Sequence, residues 1–460
     1  MNKILQFLAC LAFVNAAERI NNQLVIRNVD RSIDLASQLV KITATITLEN
    51  TGKDAVRTFL LVQEPHTLGT IAYLSVKDSS KQELRVTPVK VEGHPDELFH
   101  NVALRLPLES GRTTTVSLEE VRTRALEPYP SSITQKDKQL VRYFGNHYLY
   151  TPYLVTKQKT DVTLYSRSIE NYTKLKPVSI SDSTISYGPY SSIEPFTEDE
   201  LSVHYENNAP FLTVTRLERL IEISHWGNIA VEEHIEIRHN GALLKGPFSR
   251  YDYQRDTSGT HHSIKAYHTI LPASAHSIYY RDSNGNISTS TVKPRKDWIE
   301  LELRPRFPLF GGWQSSYTLG YSVPSYQYLF KAPSGENVLN MRLLDHVFDD
   351  MHVEELETSV VLPVGASDIQ VNPPYAAERL SDELTHKYLD NIGRTVVKLR
   401  KTNLVEQHIQ DLEITYNWKP HFLLHEPVLL SIALFVMFIS VIIWVRLDFS
   451  LGVSEHNKRE

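Results

Sequence analysis

The stretch QLVKITATITLEN, residues 38 to 50, decides the fold class of this chain. Every second residue from Val40 to Leu48 is apolar, and the residues between them are Lys or Thr. Successive side chains of a strand point to opposite faces, so the alternation predicts an antiparallel strand with one buried and one solvated face. The stretches WIELELRPR (298–306) and DLEITYNWK (411–419) repeat the pattern. The sequence therefore predicts a mainly β fold built as sandwiches.

Turn-forming residues separate the predicted strands, as at Asn50-Thr51-Gly52, Asn240-Gly241 and Asn284-Gly285. Between the apolar segments at the two ends of the chain, the best candidate for a helix is LSDELTHKYLD, residues 380 to 390. We expect no long amphipathic helix in this part of the chain.

The composition bounds the possible classes of function. Hydrophobic residues make up 41% of the 460 residues, which excludes a disordered chain. The net charge of −6 argues against nucleic acid as a partner, because nucleic acid selects a basic face. Such a length allows about two or three domains with real cores.

The N-terminus has the pattern of a signal peptide. Lys3 supplies a positive charge, Ile4 to Val14 form a mostly apolar run, and small residues precede a predicted cleavage after Ala16. Residues 1 to 16 are therefore expected to be removed. The alternative is a buried N-terminal helix.

A second apolar segment lies near the C-terminus. Val428 to Val445 contains no charged residue and predicts a transmembrane helix over residues 425 to 446. We expect Trp444 at one membrane interface, and Tyr416 and Trp418 near the other. Together with a cleaved signal, this span predicts a single-pass type I membrane protein. Residues 17 to 424 would be lumenal and residues 447 to 460 a short cytosolic tail.

The cysteine content limits the chemistry that this chain can perform. Cys10 is the only cysteine of the chain, and it lies within the predicted signal peptide. The mature chain would then lack a thiol nucleophile, a zinc–thiolate site and disulfides, so its domains would have to be stable by packing alone.

Two weak internal similarities suggest a duplicated unit. RLPLESGRTTTVSLE (105–119) aligns without gaps on RFPLFGGWQSSYTLG (306–320). At a slightly smaller offset, Ile46, Leu48 and Gly52 match Ile235, Ile237 and Gly241. We therefore expect two lumenal β-sandwich-like domains, residues 17 to 215 and 216 to 424.

The stretch SHWGNIAVEEH, residues 224 to 234, is the strongest candidate for chemistry because it combines two histidines with two carboxylates. Continued to Asn240-Gly241, however, it alternates as a strand that ends in a turn. Glu232 and Glu233 then point to opposite faces and cannot act as a pair. We expect His225 and Trp226 to pack at the start of this strand. Glu233 falls on the apolar face, which a frayed strand end would explain.

Other polar clusters are weaker candidates. His261, His262 and His268 diverge on a strand, so a metal site there is the lesser alternative. The segment LLDHVFDDMH (343–352) predicts a polar loop, with calcium bound by its acidic residues as the alternative; its candidate residues are Asp345, His346, Asp349 and Asp350. RPRFPLFGGW (304–313) predicts a loop, with stacking on a ligand as the alternative.

We therefore expect no catalytic, cofactor-binding or metal-binding site, and no cofactor. Asn171 and Asn286 each begin an Asn-x-Ser/Thr sequence in the predicted lumenal part, so both are candidate glycosylation sites.

Several long stretches resemble the ribophorin I family. They include FGNHYLYTPY (144–153), HYENNAPFLTVT (204–215), LKGPFSRYDYQR (244–255) and VIIWVRLDFS (441–450). They occur in the same order as in the family and cover nearly all of the mature chain.

The resemblance implies a subunit of the endoplasmic-reticulum oligosaccharyltransferase, the complex that transfers a dolichol-linked glycan to asparagine in nascent chains. Family members look like accessory subunits that support assembly and substrate presentation. The catalytic site, its metal and the lipid donor belong to a multispanning partner, so the family supplies no catalytic residues to transfer. The expected partners are the other subunits, nascent polypeptides and the membrane.

One feature departs from the family. Animal members continue past the span into a cytosolic helical domain linked to ribosome contact, whereas only 15 residues, Arg446 to Glu460, follow here. Either this version is short or the sequence is truncated, and we do not expect direct ribosome contact by this chain. Two other classes stay open: a lumenal cargo or chaperone-type receptor that acts alone, and a lumenal hydrolase.

Overall fold

The structure is a computed structural model that describes residues 18–67, 69–255, 262–387 and 390–447. The strands up to residue 206 are β1 (Leu24–Leu35), β2 (Val40–Asn50), β3 (Val56–Val62), β4 (Ile71–Asp78), β5 (Val86–Val91), β6 (His94–Leu108), β7 (Thr113–Arg122), β8 (Leu126–Pro128), β9 (Ser132–Ile133), β10 (Leu140–Asn146), β11 (Val155–Leu164), β12 (Ile169–Tyr172), β13 (Val178–Ser181), β14 (Thr184–Ile193) and β15 (Glu200–Glu206).

The strands that follow are β16 (Leu212–Ser224), β17 (Asn228–His239), β18 (Leu243–Leu244), β19 (Tyr267–Pro272), β20 (His276–Asp282), β21 (Gly285–Asn286), β22 (Thr291–Pro294), β23 (Trp298–Leu303), β24 (Gln314–Pro324), β25 (Leu329–Lys331), β26 (Asn337–Arg342), β27 (His352–Val361), β28 (Ser367–Asn372), β29 (Glu378–Arg379), β30 (Glu383–Thr385), β31 (Arg394–Val405) and β32 (Asp411–Asn417). The α-helices are α1 (Arg250–Arg255) and α2 (His425–Arg446), and 3₁₀ turns cover Pro65–Thr67, Ser325–Gln327, Glu406–His408 and Pro420–Leu424.

The predicted class is confirmed, because strands dominate and one apolar helix lies at the C-terminal end. The alternation that predicted the fold is also the burial pattern: in β2 every residue that the sequence placed on the apolar face is buried. Strands β23 and β32 show the same pattern. Burial of these faces is the main favourable contribution to folding.

Each half of the chain has one large sheet and two smaller ones that share a hydrophobic core. In the first half the large sheet has the order β13-β14-β11-β1-β2-β7-β4, with β12-β15-β10-β8 and β3-β6-β5 beside it. In the second half the order is β21-β20-β24-β17-β16-β27-β31-β29, with β30 also on β31 and with β19-β23-β22 and β25-β26-β32-β28 beside it. One core draws on residues 24 to 211 and the other on residues 212 to 416.

The two large sheets share one pattern of connections, which agrees with the predicted duplication. A hairpin, β1–β2 or β16–β17, is flanked by a parallel partner, β11 or β27, and by an antiparallel one, β7 or β24. Equivalent rows across the hairpin and its antiparallel partner are Arg31–Ala44–Leu118 and Arg219–Glu233–Leu319. Ile46 and Leu48 of β2 match Ile235 and Ile237 of β17, and the second part of the longer similarity, residues 113–119 and 314–320, falls on β7 and β24. The exact domain boundaries stay a prediction.

Two local expectations were wrong. Residues 383 to 385 within the predicted helix LSDELTHKYLD form strand β30 against β31, so tertiary pairing overrides the helical pattern. Tyr416 is buried in the core rather than placed at a membrane interface, because it lies on the apolar face of β32. Residues 1 to 17, which include Ala16 and the predicted signal peptide, and residues 448 to 460 lie outside the described part of the chain.

Candidate functional sites

The stretch SHWGNIAVEEH forms the turn between β16 and β17 and the first half of β17. Gly227 occupies the turn with a φ of +107°, a conformation that favours glycine. His225 packs as predicted: its ring stacks on Trp418 with centroids 3.8 Å apart, and its Nε2 lies 3.2 Å from the Tyr416 hydroxyl. Trp226 differs from the prediction, since its side chain projects from the turn and is 67% exposed.

Glu233 lies in the middle of β17 and is buried, so the expectation of a frayed strand end was wrong. Its carboxylate forms an ion pair with the guanidinium of Arg219, its neighbour on β16. The same guanidinium donates to Asp345 Oδ2 at 2.8 Å, and the Tyr321 hydroxyl donates to that carboxylate too. Asp345 lies in the loop between β26 and β27, as predicted, but its side chain is buried in the core.

The electrostatics of this network follow from burial. One guanidinium faces two carboxylates in a place that water does not reach. Desolvation raises the pKa of Glu233 to about 7, although Arg219 acts in the opposite direction. Arg219 thus offsets the free-energy cost of burying the two carboxylates, because a buried charge without a partner destabilises the folded protein.

The first half of the chain has a buried arginine at the equivalent position. Arg31 donates to the carbonyl oxygens of Asn146 at 2.8 Å and Tyr148 at 3.1 Å, and it lies 3.7 Å from Glu64. Arg31 and Arg219 occupy matching positions in β1 and β16. A buried arginine at this position is therefore a repeated part of the architecture, which favours a structural role over a catalytic one.

The sequence contains a pattern that predicts the network around Arg219, although the alternation within a single strand does not reveal it. Leu217, Arg219 and Ile221 share the apolar face of β16, and Glu233 lies on the apolar face of β17. Opposite charges on the buried faces of two strands joined by a short turn predict a buried ion pair.

The two described histidines of the segment 261–268, His262 and His268, have separate partners. His261 lies outside the described residues. His262 is buried, and its carbonyl oxygen is 2.8 Å from Nε2 of His239. His268 is half-exposed on β19 with Nδ1 3.8 Å from Glu300.

The acidic residues of the segment 343–352 also have separate partners. Asp345 faces Arg219, whereas Asp350 forms an ion pair with Lys41 of β2. A different trio comes together within the described residues: potential ligand atoms of His346, Asp349 and Glu406 lie within 4.8 Å of one another. His346 Nε2 is 3.3 Å from Asp349 and 3.9 Å from Glu406, so one imidazole brings the two carboxylates together.

RPRFPLFGGW is a loop, as predicted, and two of its aromatic residues, Phe310 and Trp313, have protein partners. Phe310 is buried, and its ring lies 5.5 Å from Phe248 and 5.4 Å from Trp313 between ring centroids. Arg306 forms an ion pair with Asp282. These contacts favour the structural interpretation of the loop.

Polar contacts join the two halves of the chain. Gln38 donates to the carbonyl oxygens of Leu212 at 2.6 Å and Asp350 at 2.7 Å. Asn403 accepts from Thr123 at 2.8 Å. A small cluster of Leu39, Val121 and Val405 is buried at the same contact.

Both candidate glycosylation sites are exposed. Asn171 lies on β12, at the edge of its sheet, and the hydroxyl of Thr173 accepts from the Ser202 N–H at 3.0 Å. Asn286 lies on the short strand β21. Exposure is what a glycan requires, and occupancy of the two sites stays a prediction.

The C-terminal helix is attached to the second β unit by side chains at its first turn. Arg394 donates to Glu426 at 2.8 Å, and Nε2 of His425 lies 2.8 Å from Asn391 Oδ1. Just before the helix, the indole N–H of Trp418 donates to the Val364 carbonyl oxygen at 3.0 Å. Residues 420 to 446 are long and apolar enough to cross a membrane.

These features define a class: a mainly β protein with two similar units and one C-terminal helix of membrane-spanning length. The chain belongs to the ribophorin I family, whose model matches residues 24–445. A relative from Caenorhabditis elegans, named dolichyl-diphosphooligosaccharide–protein glycosyltransferase subunit 1, is 41% identical over 92% of this chain and 72% of its own length.

Two relatives from Arabidopsis thaliana carry corresponding names. Subunit 1A is 38% identical over 97% of this chain and 74% of its own, and subunit 1B is 35% identical over 97% of each. Among solved structures, an M1 zinc metallopeptidase from Deinococcus radiodurans matches with a TM-score of 0.24 at 14% identity over 44% of each chain. A likeness at that level supports no inference.

Proposed function

We propose that this chain is a subunit of an oligosaccharyltransferase complex, which transfers a dolichol-linked glycan to Asn-x-Ser/Thr in nascent proteins. The observation that carries the proposal is the 41% identity, over 92% of this chain, to a relative named as subunit 1 of that glycosyltransferase. Its partners are the other subunits, including a multispanning catalytic one, together with nascent polypeptides and the membrane.

Within the complex we assign this chain an accessory role in assembly and substrate presentation, with no catalytic step of its own. The support is that the side chains most suggestive of chemistry have structural partners. Glu233 and Asp345 hold Arg219, and His225 stacks on Trp418. The equivalent arginine, Arg31, is also held inside the protein.

The proposed location is the endoplasmic-reticulum membrane, with the β units in the lumen and a single span at α2. The exposed sites Asn171 and Asn286 would then face the compartment where glycans are added. Changing Asn171 or Asn286 to Gln should each remove one glycosidase-sensitive shift in mobility. The matched control is Asn284→Gln, because Asn284 is two residues from Asn286 and begins no such sequence.

Purification in mild detergent followed by mass spectrometry tests membership of the complex. We expect a multispanning glycosyltransferase to be recovered with the tagged chain, and not with an unrelated single-span protein of the same membrane. Recovery of the chain without that partner would reject the proposal in favour of a receptor that acts alone.

Complementation tests the role. Depletion should lower glycan occupancy of client proteins, and re-expression of the natural sequence should restore it. Arg219→Met, which removes the buried cation, should restore it poorly, whereas Arg216→Met, at an exposed position on the same strand, should restore it fully. Unchanged occupancy after depletion would contradict the proposed role.

A further inference from the structure

One end of the large C-terminal sheet gathers the ends of five strands. Strand β16 ends at Ser224 and β17 begins at Asn228 across their hairpin turn. Strand β24 is antiparallel to β17 and ends at Pro324. Strand β27 is parallel to β16 and ends at Val361, and β31 is antiparallel to β27 and begins at Arg394. Pairing therefore places all five termini at the same end of the sheet.

The membrane helix α2 begins at this end. Arg394 binds Glu426 in the first turn of the helix, and Asn391, in the turn before β31, contacts His425. The ring of Phe422 packs so closely over Gly365, shortly after β27, that a Cβ there would lie 2.4 Å from it. The sheet end and the start of the helix are thus held together by side-chain contacts.

Large apolar side chains are exposed around the start of the helix, at this same end. They come from separate segments: the β16–β17 turn, the turn after β24, strand β30, the turn before β31 and the segment before α2. We call them the collar; they are Trp226, Tyr326, Leu384, Ile392 and Leu424. A cavity of about 330 Å³ is lined by Trp226 together with Phe422 and His425, so the hairpin turn lies beside the helix start.

The depth of the collar follows from helix geometry. The uncharged run begins at Val428, four residues after Leu424, which corresponds to roughly 6 Å along a helix at about 1.5 Å per residue. The interfacial layer on each side of a hydrocarbon core is about 5–8 Å thick. Side chains level with Leu424 and His425 therefore reach that layer when the uncharged run fills the core.

We propose that the collar lies in the lipid–water interface, so that the C-terminal β unit rests on the bilayer through several points around its helix. Trp and Tyr side chains favour this layer because they combine an apolar ring with a polar group. The occupant is the lipid surface, since the collar is continuous with the helix that crosses the same bilayer. The proposal goes beyond membership of a complex, and it rests on α2 spanning the membrane.

Site-directed spin labelling of the full chain in phosphatidylcholine nanodiscs tests the proposal. In a Cys10→Ser background, single labels are placed with Trp226→Cys and Ile392→Cys. The matched control is Leu243→Cys, also an exposed position, which follows the opposite end of β17. Eleven rises of about 3.3 Å along β17 separate the two ends by roughly 36 Å. Phe435→Cys, in the middle of α2, reports the hydrocarbon core.

The readout is the ratio of relaxation by oxygen, which partitions into lipid, to relaxation by a water-soluble nickel complex. We expect ratios at positions 226 and 392 severalfold above that at 243 and below that at 435. Ratios equal to that at 243 would overturn the proposal. Exclusion of both reagents would also overturn it, because protein would then cover the collar. A ratio at position 435 as low as that of a water-exposed label would show that α2 does not span the membrane. That result would not bear on membership of a complex.

Discussion

The guanidinium of Arg394 donates to Glu426 across 2.8 Å and so joins strand β31 to the first turn of helix α2. The same guanidinium lies 3.2 Å from Glu222 of β16. Because the Arg394 side chain is only 11% exposed, this contact is partly shielded from solvent. The membrane helix is thus held by a side chain of β31 that also binds β16, two strands that flank β27 in the same sheet, rather than attached through backbone alone.

A double-mutant cycle measures this link. We expect Arg394→Ala and Glu426→Gln to show a coupling free energy of about 0.5–1 kcal/mol in denaturant unfolding of the full chain in detergent. The control cycle combines Glu426→Gln with Lys387→Ala, since Lys387 binds Glu222 at 2.9 Å instead. Equal coupling in the two cycles would show that the Arg394–Glu426 contact does not stabilise the protein.

The buried network around Arg219 gives a ranked prediction. Arg219→Met leaves Glu233 without a cation and Asp345 with only the long contact to Arg342 at 3.9 Å, so it should lower the free energy of unfolding by roughly 3–5 kcal/mol. Glu233→Gln should cost clearly less, because Arg219 keeps Asp345 at 2.8 Å and loses only the surplus negative charge. Urea unfolding of each variant gives the comparison.

The matched control for this ranking is Arg216→Met. Arg216 lies on the same strand, but its side chain is 48% exposed and pairs with the equally exposed Glu218. Its removal should change the free energy of unfolding by less than about 1 kcal/mol. If Glu233→Gln proved as costly as Arg219→Met, the view that the network carries a surplus carboxylate would be wrong.

The fold class could be predicted from sequence because its signal is local. In β2, from Val40 to Leu48, the period of two in apolar residues is repeated in burial. The segment 383–385 shows the limit: its pairing with Arg394–Val396 is a tertiary contact that no local pattern contains. Tyr416 illustrates the same point, since membrane proximity and the apolar face of a strand both explain an aromatic residue there.

The candidate sites were harder to predict because they depend on contacts between distant segments. Asp345 is 126 positions from Arg219 in the chain, and Glu426 is 32 positions from Arg394. Neither contact produces a periodic pattern in the sequence. Glu233 was different, because a charge on an apolar face indicates a buried partner, and the partner lay on the preceding strand.

Leu301 tests the register of β23. Its side chain is 1% exposed in the core of the second unit, so Leu301→Ala should cost roughly 2–5 kcal/mol in unfolding free energy. The control is Val292→Ala at its cross-strand neighbour, an exposed position on β22 that should lose much less. Similar losses at the two positions would mean that the buried face had been assigned incorrectly.

The span at α2 is tested by Phe435→Asp. A carboxylate at the centre of a membrane helix costs about 2.5–3.5 kcal/mol in insertion experiments, so carbonate extraction should release a larger share of the variant. Phe307→Asp, at an exposed loop position of the β unit, should stay with the membrane like the natural sequence. Equal retention of both variants would contradict the assignment of α2 as the span.

His352 predicts a loss of stability in acid. Burial, helped by the positive charge of Arg124, lowers its pKa to about 4, and its Nε2 lies 3.1 Å from Asn403 at the contact between the two halves. The unfolded chain binds a proton near the ordinary histidine pKa of about 6.5, so this residue's stabilising contribution is complete above pH 6.5 and is lost towards pH 4. This lowering of the pKa corresponds to about 3 kcal/mol of unfolding free energy.

Unfolding free energies measured from pH 7 to pH 4 should therefore fall less steeply for His352→Gln than for the natural sequence. His276→Gln, at an exposed position, should follow the natural profile. Parallel profiles for all three proteins would show that His352 takes up its proton without opening the contact.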